Sequence, residues 1–365
     1  MAICAANPMC SSQTIHCKHL KGEYLMKTTN HTRYTTRLRY TAILLSMLFM
    51  TVLAGGCAQS AEGSGQERTN ELSNGTTAGT ASDATPEHAS TAIAVTDMMG
   101  REIMLDKPAE KIVALAASDC EILYAIGAGD TLVGRGEYCD YPAEVKNVPA
   151  VQSGSETNIE QIIALEPQVV IMSIMSQTKE QVAALEDAGI EVIAVNAQDI
   201  EGVYTAIGLI GTITGRDTEA AQVVNDMKTA FAELSGKVSG DGTQTVYFEV
   251  SPLEYGLWAA GSGTFMNELA AMLGLKNAFE DVQGWGEVSQ EQVIERNPDY
   301  IVTIAMYFGE GLLPVDEIMG RDGWQEMKAV KNKRVLNLNS DEISRPGPRL
   351  TKAIAEMADF IEENS

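Results

Sequence analysis

The sequence predicts an α/β protein of two lobes, each built on a mostly parallel sheet, joined by one long α-helix. Three observations lead there. Apolar, β-branched runs alternate with helical stretches through residues 91–365, one helix–strand unit occurs twice, and a long helical segment separates the two copies.

The chain before residue 91 lies outside that alternation. Residues 1–25 carry Cys4, Cys10, Cys17, His16 and His19, but the spacing matches no paired metal motif, and a complete leader with its own Met26 follows. This segment is read as an upstream extension and excluded from the fold. Residues 26–56 have the layout of a signal peptide: a basic MKTTNHTRYTTRLRY, the 14-residue apolar run TAILLSMLFMTVLA, then small residues. That run is too short for a permanent span, because a bilayer core of roughly 30 Å needs about 20 apolar residues. Cys57, directly after Leu-Ala-Gly-Gly, resembles the lipidated cysteine of a bacterial lipobox. Residues 57–90 are rich in Ser, Gly, Thr and Glu, with almost no large apolar side chain to offset ordering entropy, and are expected to form a flexible tether. The folded part is therefore expected outside the cytoplasm, lipid-anchored to the bacterial cell membrane and held close to a membrane partner.

In the first lobe, residues 91–199, KIVALAA, TLVGRG, QVVIMSI and EVIAVNA read as strands, with SDCEILYAIGAG as a helix after the first. Residues 200–236 read as the connecting helix, with an interruption possible near Gly215. A stiff rod of this kind allows only modest hinge motion. In the second lobe, residues 237–365, TVYFEV, YIVTIAM and RVLNLN are strands. The recurring unit ties the lobes together: TNIEQIIALEPQVVIM (157–172) aligns with VSQEQVIERNPDYIVT (288–303) at an offset of 131 residues. Glu160 falls on Glu291, Gln161 on Gln292, Ile163 on Ile294 and Pro167 on Pro298. Asn158 and Ser289 are N-cap residues, Gln161 and Gln292 stand where a capping box needs them, and each Pro closes its helix before an apolar strand.

Charge and absences narrow the chemistry. Of 26 Lys and Arg and 50 Asp and Glu, six basic and one acidic lie in the first 56 residues, so the remainder is near −29. Such a surface repels phosphate backbones and anionic lipid, which excludes nucleic-acid binding and attachment through a basic patch. All four histidines, His16, His19, His31 and His88, precede residue 91. That removes Ser-His-Asp and Cys-His catalysis and histidine-ligated zinc, manganese or haem from the folded part. No GxxxxGK[ST] phosphate loop is present, and GAGDTLVG lacks dinucleotide spacing. No enzyme activity, resident cofactor or metal site is predicted. Cys120 and Cys139, the only cysteines beyond Cys57, are either a disulfide or buried free thiols. The 17 methionines read as packing, with Met172 and Met175 the two placed to face a ligand.

From about Thr96 to the C-terminus the chain resembles a known family. The stretches that carry the resemblance are DMMGREIMLDKPAEKIVAL, YCDYP at 138–142, NIEQIIALEPQVVI, GWGEVSQEQVIERNPDYIV, and GWQEMKAVKNKRVLNLN followed by SRPGPRL. They are similar to the periplasmic binding proteins for ferric siderophores and cobalamin, the helical-backbone, class III receptors of ABC importers. The resemblance implies two Rossmann-like lobes, a monomer that binds one ligand, and a permease dimer as partner. It also implies that Glu160 and Glu291 dock against arginines of that permease. A first-turn Glu also complements its own helix dipole, by about 0.3–1 kcal/mol. The shared register of the two glutamates fits a matched pair offered to a two-fold symmetric partner.

The ligand is expected between the lobes, at loops following the C-terminal ends of parallel strands. Candidates are Ser118 and Asp119 after the first strand, Tyr138 and Tyr141 of YCDYP, Trp258, Trp285, Tyr307 beside Phe308, and Arg345. Aromatic walls suit a flat, bulky chelate. Tyr138 and Trp285 match aromatic positions of cobalamin-binding members, whereas Gly154 stands where the family has a further tryptophan. A ferric siderophore calls for cations, for which Arg345, Arg349 and Arg135 are the candidates. The expected ligand is a metal chelate, with a corrinoid ahead of a ferric siderophore and haem, held through Tyr or Met, third. Two other functions fit the same frame: a chelatase using a cleft carboxylate such as Asp119 or Asp140, and a sensor subunit that touches a receptor.

Overall fold

The computed structural model describes residues 92–154, 156–173, 178–237 and 242–364, all within one contact unit. The signal peptide, Cys57, the tether and Met175 lie outside the described residues. A hairpin of β1 (Ile93–Thr96) and β2 (Glu102–Leu105) comes first. The Asp97 carboxylate organises its turn, accepting the N–H groups of Met99 and Arg101 and, from across the lobe, that of Ala194. Five further strands, β3 (Ile112–Ala114), β4 (Leu132–Gly136), β5 (Ala150–Val151), β6 (Val169–Ser173) and β7 (Glu191–Val195), form a parallel sheet in the order β5-β4-β3-β6-β7. Helices α1 (Ala117–Ala125), α2 (Ile159–Ala164) and α3 (Lys179–Asp187) supply crossovers. Strand side chains alternate between faces. Ile112, Ala114, Val169 and Ile171 enter one core, and Val113, Leu115, Val170 and Met172 another beneath Ile162 of α2 and Leu185 of α3. Met172 is therefore packing.

The connecting stretch, where the sequence leaves an interruption near Gly215 open, is two helices. α4 (Ile200–Thr214) ends at Gly215, which adopts φ +66°, and α5 (Asp217–Lys237) starts two residues later. A left-handed C-cap of this kind turns the chain out of the helix at little cost only for glycine. The two helices then fold against one another so closely that a Cβ on Gly211 would lie 2.5 Å from the Cβ of Ala220. The rod is therefore α5 alone, 21 residues and roughly 31 Å long.

The second lobe contains β8 (Thr245–Ser251), β9 (Trp258–Ala260), β10 (Lys276–Asn277), β11 (Trp285–Glu287), β12 (Tyr300–Thr303) and β13 (Val335–Asn337). They run β11-β9-β8-β12-β13, with β10 also paired to β8. The β8, β10, β12 and β13 pairings are parallel, while β9 and β11 add an antiparallel ribbon at one edge. Its helices are α6 (Phe265–Met272), α7 (Gln290–Arg296), α8 (Pro314–Met319), α9 (Lys328–Lys331), α10 (Ser340–Ser344) and α11 (Leu350–Glu363). Val246, Phe248, Tyr300 and Val302 face the same core that receives Ile112 and Ile171, together with side chains of α4, α5, α6 and α11. Tyr247 and Ile301 point the other way, into a core of this lobe around Trp324. The lobes thus share one apolar interior. Hydrogen bonds also join them: Gln198 O accepts from Phe265 N at 2.8 Å, and the Glu268 carboxylate accepts the Ile200 N–H at the start of α4 at 2.8 Å.

The repeat extends into backbone geometry. After α2 and α7 the chain passes through left-handed residues, Glu166 at φ 48° and Asn297 at φ 45°, directly before Pro167 and Pro298. Ser289 and Gln292 form the expected capping box. At the other copy only half of it forms: Asn158 caps the Gln161 N–H at 3.0 Å, but the Gln161 side chain accepts from Gln152 N instead.

Candidate functional site

The seam between the lobes is held by an ion cluster. α1 carries Glu121, whose side chain is 2% exposed, to the SRPGPRL loop of the second lobe. Arg349 grips it with two bonds, Nε to Oε2 at 2.8 Å and Nη2 to Oε1 at 2.6 Å. Arg345 Nη1 donates to Glu121 Oε1 at 2.9 Å and to Asp140 Oδ1 at 2.8 Å, and its Nη2 lies 2.7 Å from Asp341. Burial pushes the Asp140 carboxyl up, but the Arg345 guanidinium outweighs it and holds the group below the usual carboxylate range. The Arg349 guanidinium also lies over the Tyr141 ring, 4.3 Å from its centroid. A buried, bidentate carboxylate–guanidinium pair is strongly coupled, and deleting one partner costs about 3–5 kcal/mol.

This cluster engages several predicted ligand residues. Arg345 is surrounded by carboxylates, Tyr141 is covered by Arg349, and Arg135 donates to the carbonyls of Val148, Gly136 and Glu137. Arg345 and Arg349 are thus neutralised by carboxylates, while Arg135 spends Nε and Nη1 on backbone carbonyls. Ser118 and Asp119 sit inside the first turn of α1, 8% and 0% exposed, and offer no surface to a ligand. The Ser118 carbonyl instead faces Gly347, where an added Cβ would lie 4.0 Å away. Cys120 and Cys139 are buried free thiols, both directed at the Ala114 carbonyl, at 3.7 and 4.0 Å. The Cys139 thiol and burial hold the Cys120 thiol well above its usual range, leaving it an inert packing group.

Other candidates stand where a ligand can meet them. Tyr138 is 73% exposed on the loop after β4, and Tyr307 and Phe308 are exposed on the loop after β12. In the β9–β11 ribbon Trp258 pairs with Glu287 and Trp285 with Ala260, which puts both indoles on one face. Trp285 is half-buried and leans edge-on against Phe265 at 5.6 Å, whereas Trp258 is exposed. The loop after β12 separates two depressions. One, of about 470 Å³, is walled by Leu253, Glu254, Tyr307, Phe308, Glu310 and Glu317. The other, of about 270 Å³, lies between Met306–Phe308 and Asn337, Asn339 and Asp341. Asp341 is also a partner of Arg345, so this second depression opens beside the seam. Sequence reasoning missed the exposed Tyr255 after β8, the Glu121 clasp, and the acidic wall of the larger depression. An acidic residue directly before the apolar run Ile122–Leu123 was the available signal for Glu121.

On the α2 and α7 helices Glu160 and Glu291 are both exposed, and Ile163 and Ile294, one turn on, are exposed as a matching pair. The Glu291 carboxyl is held below its usual range by its own backbone N–H and the Ser289 hydroxyl. Neither glutamate has a salt-bridge partner among the described residues.

Two α/β lobes around a clasped seam, linked through a helix and lined with aromatic loops, define a two-lobed solute-binding protein. The chain belongs to the periplasmic binding protein family, whose profile matches residues 112–342. It is similar to YvrC, an ABC transporter substrate-binding lipoprotein of Bacillus subtilis, with 36% identity over 275 residues that cover 74% of this chain and 85% of that one. A possible iron-binding (periplasmic solute-binding) protein of Staphylococcus epidermidis shares the fold with a TM-score of 0.60 and 32% identity, covering 70% of this chain and 99% of that one. The periplasmic vitamin B12 binding protein BtuF of Vibrio cholerae does so with a TM-score of 0.60 and 25% identity, covering 70% and 98%. The fold is that of the class III binding proteins, and the chain is an extracytoplasmic binding component of a transport system rather than an enzyme.

Proposed function

We propose that the chain, anchored through lipid on Cys57, captures a bulky metal chelate between its lobes and delivers it to the permease dimer of an ABC importer. The observation that carries this reading is the placement of exposed aromatic side chains at the C-terminal ends of strands in both lobes: Tyr138 after β4, Tyr307 and Phe308 after β12. Flat aromatic faces contribute contact area at low entropic cost, which suits a rigid macrocycle. A corrinoid is the leading ligand, supported by the vitamin B12 binding relative, and a ferric siderophore is the alternative supported by the iron-binding one. The visible spectrum of protein purified from its own host tests this, because corrinoids, ferric chelates and haem absorb in distinct bands. A colourless protein that binds none of them on titration overturns the reading. Docking is assigned to the exposed Glu160 and Glu291. Replacing both with Ala is expected to leave ligand binding intact and abolish uptake, and normal uptake by the double variant removes the assignment.

A further inference from the structure

We propose that the cleft selects uncharged or cationic chelates and turns away polyanionic ones. This deepens the receptor reading above and rests on it. The undescribed positions within residues 92–364 (155, 174–177 and 238–241) carry no Lys or Arg, so the cations of this body can be followed completely.

At the seam the cations are committed. Arg345 faces Glu121, Asp140 and Asp341, and Arg349 holds Glu121 in two bonds with its flat side on Tyr141. Arg135 is turned to backbone carbonyls. Two lysines lie nearby. Lys352 Nζ is 3.8 Å from Glu342 and 5.6 Å from the Tyr141 ring, and Lys146 acts electrostatically on Asp140. The seam is thus close to neutral: Arg345 and Arg349 are matched by carboxylates, and Arg135 has Nε and Nη1 turned to carbonyls, which leaves no free guanidinium fork for an incoming carboxylate or catecholate.

On the second lobe the balance is negative. One guanidinium, Arg321, bridges two carboxylates, Glu249 at 2.6 Å and Glu317 at 2.5 Å. Around the 470 Å³ depression Glu317 is joined by Glu254 and Glu310, both exposed and neither ion-paired among the described residues. An anion entering there meets like charge as water is expelled, and the lowered local dielectric strengthens the repulsion. A ligand rich in amide N–H groups, or carrying an ammonium, meets acceptors and the electron-rich faces of Tyr307 and Phe308. The net acidity of the body adds a long-range barrier of the same sign.

Four probes of differing charge test this by tryptophan-fluorescence titration at low salt: cyanocobalamin, which is uncharged; ferrioxamine B, a cationic ferric trihydroxamate; ferric enterobactin, a polyanionic tris-catecholate; and haem, with its propionates. At least one of the first two is expected to bind, with both anions weaker by roughly a hundredfold. The double substitution Glu254→Lys with Glu310→Lys, at exposed positions and with folding checked by circular dichroism, is expected to narrow that gap by roughly tenfold. Tighter binding of either anion than of both other probes overturns the charge inference while leaving the receptor reading standing. Binding of none of the four removes the metal-chelate reading, and this inference with it.

Discussion

Asp119 is a carboxyl with nowhere to direct its charge. It is fully buried, neither oxygen has a hydrogen-bond partner among the described residues, and burial pushes its pKa up to about 7 despite the neighbouring Ser118 hydroxyl. The same group in the unfolded chain titrates near 3.8. Between those two values the folded form keeps a proton that the unfolded form has released, so this residue makes stability fall as pH rises through the window. Above about 7 its unfavourable contribution is complete, and below about 4 it is absent. Asp119→Asn removes the ionisation and is expected to match the wild type near pH ~4. At pH ~8 it should be more stable, by on the order of a few kcal/mol. Urea denaturation at the two pH values checks this, and a difference that does not grow with pH sinks the assignment.

At the scale of elements, glycines decide how α4 meets α5. Gly208 and Gly211 lie on the same helix, but a Cβ at Gly208 meets nothing within 4 Å, whereas one at Gly211 strikes Ala220. Gly208→Ala is expected to stabilise the protein by about 1 kcal/mol through helix propensity alone. Gly211→Ala carries the same propensity gain yet is expected to destabilise, because the two helices must separate to admit the methyl group. Thermal melts of both variants give the sign directly. The contrast marks where sequence reasoning stops. The strands read as apolar runs are all present, because a buried parallel strand has a continuous apolar signature. The β9, β10 and β11 strands, two or three residues each, are too short for a period to show. The fold-back of α4 on α5 depends on a tertiary contact between Gly211 and Ala220. The same holds for the site. The exposure of Tyr138 was legible because it stands in a polar, turn-rich loop. The ion pairing of Arg345 was not legible, because its partner Glu121 lies 224 residues away.

For the whole molecule, the shared core and the Glu121–Arg345–Arg349 clasp both resist separation of the lobes, which confines opening to small motions about the seam. The two parts of the clasp should answer differently to substitution. Arg349→Met leaves the buried Glu121 short of its bidentate partner and is expected to cost about 3–5 kcal/mol in global stability. Arg345→Gln removes the link to Asp140 at the more exposed end, with a smaller loss. Its effect should be local: the Tyr138–Pro142 loop loosens, held to the second lobe through Tyr141 under Arg349, while the sheets stay intact. Hydrogen exchange is then expected to quicken across residues 137–142 and to remain unchanged in β3, β6 and β12. On the proposed function, ligand affinity should fall with it, since Tyr138 no longer holds a fixed distance from Tyr307 and Phe308. Exchange that rises equally in both sheets would show that Arg345 supports the fold as a whole rather than the spacing of the two aromatic walls.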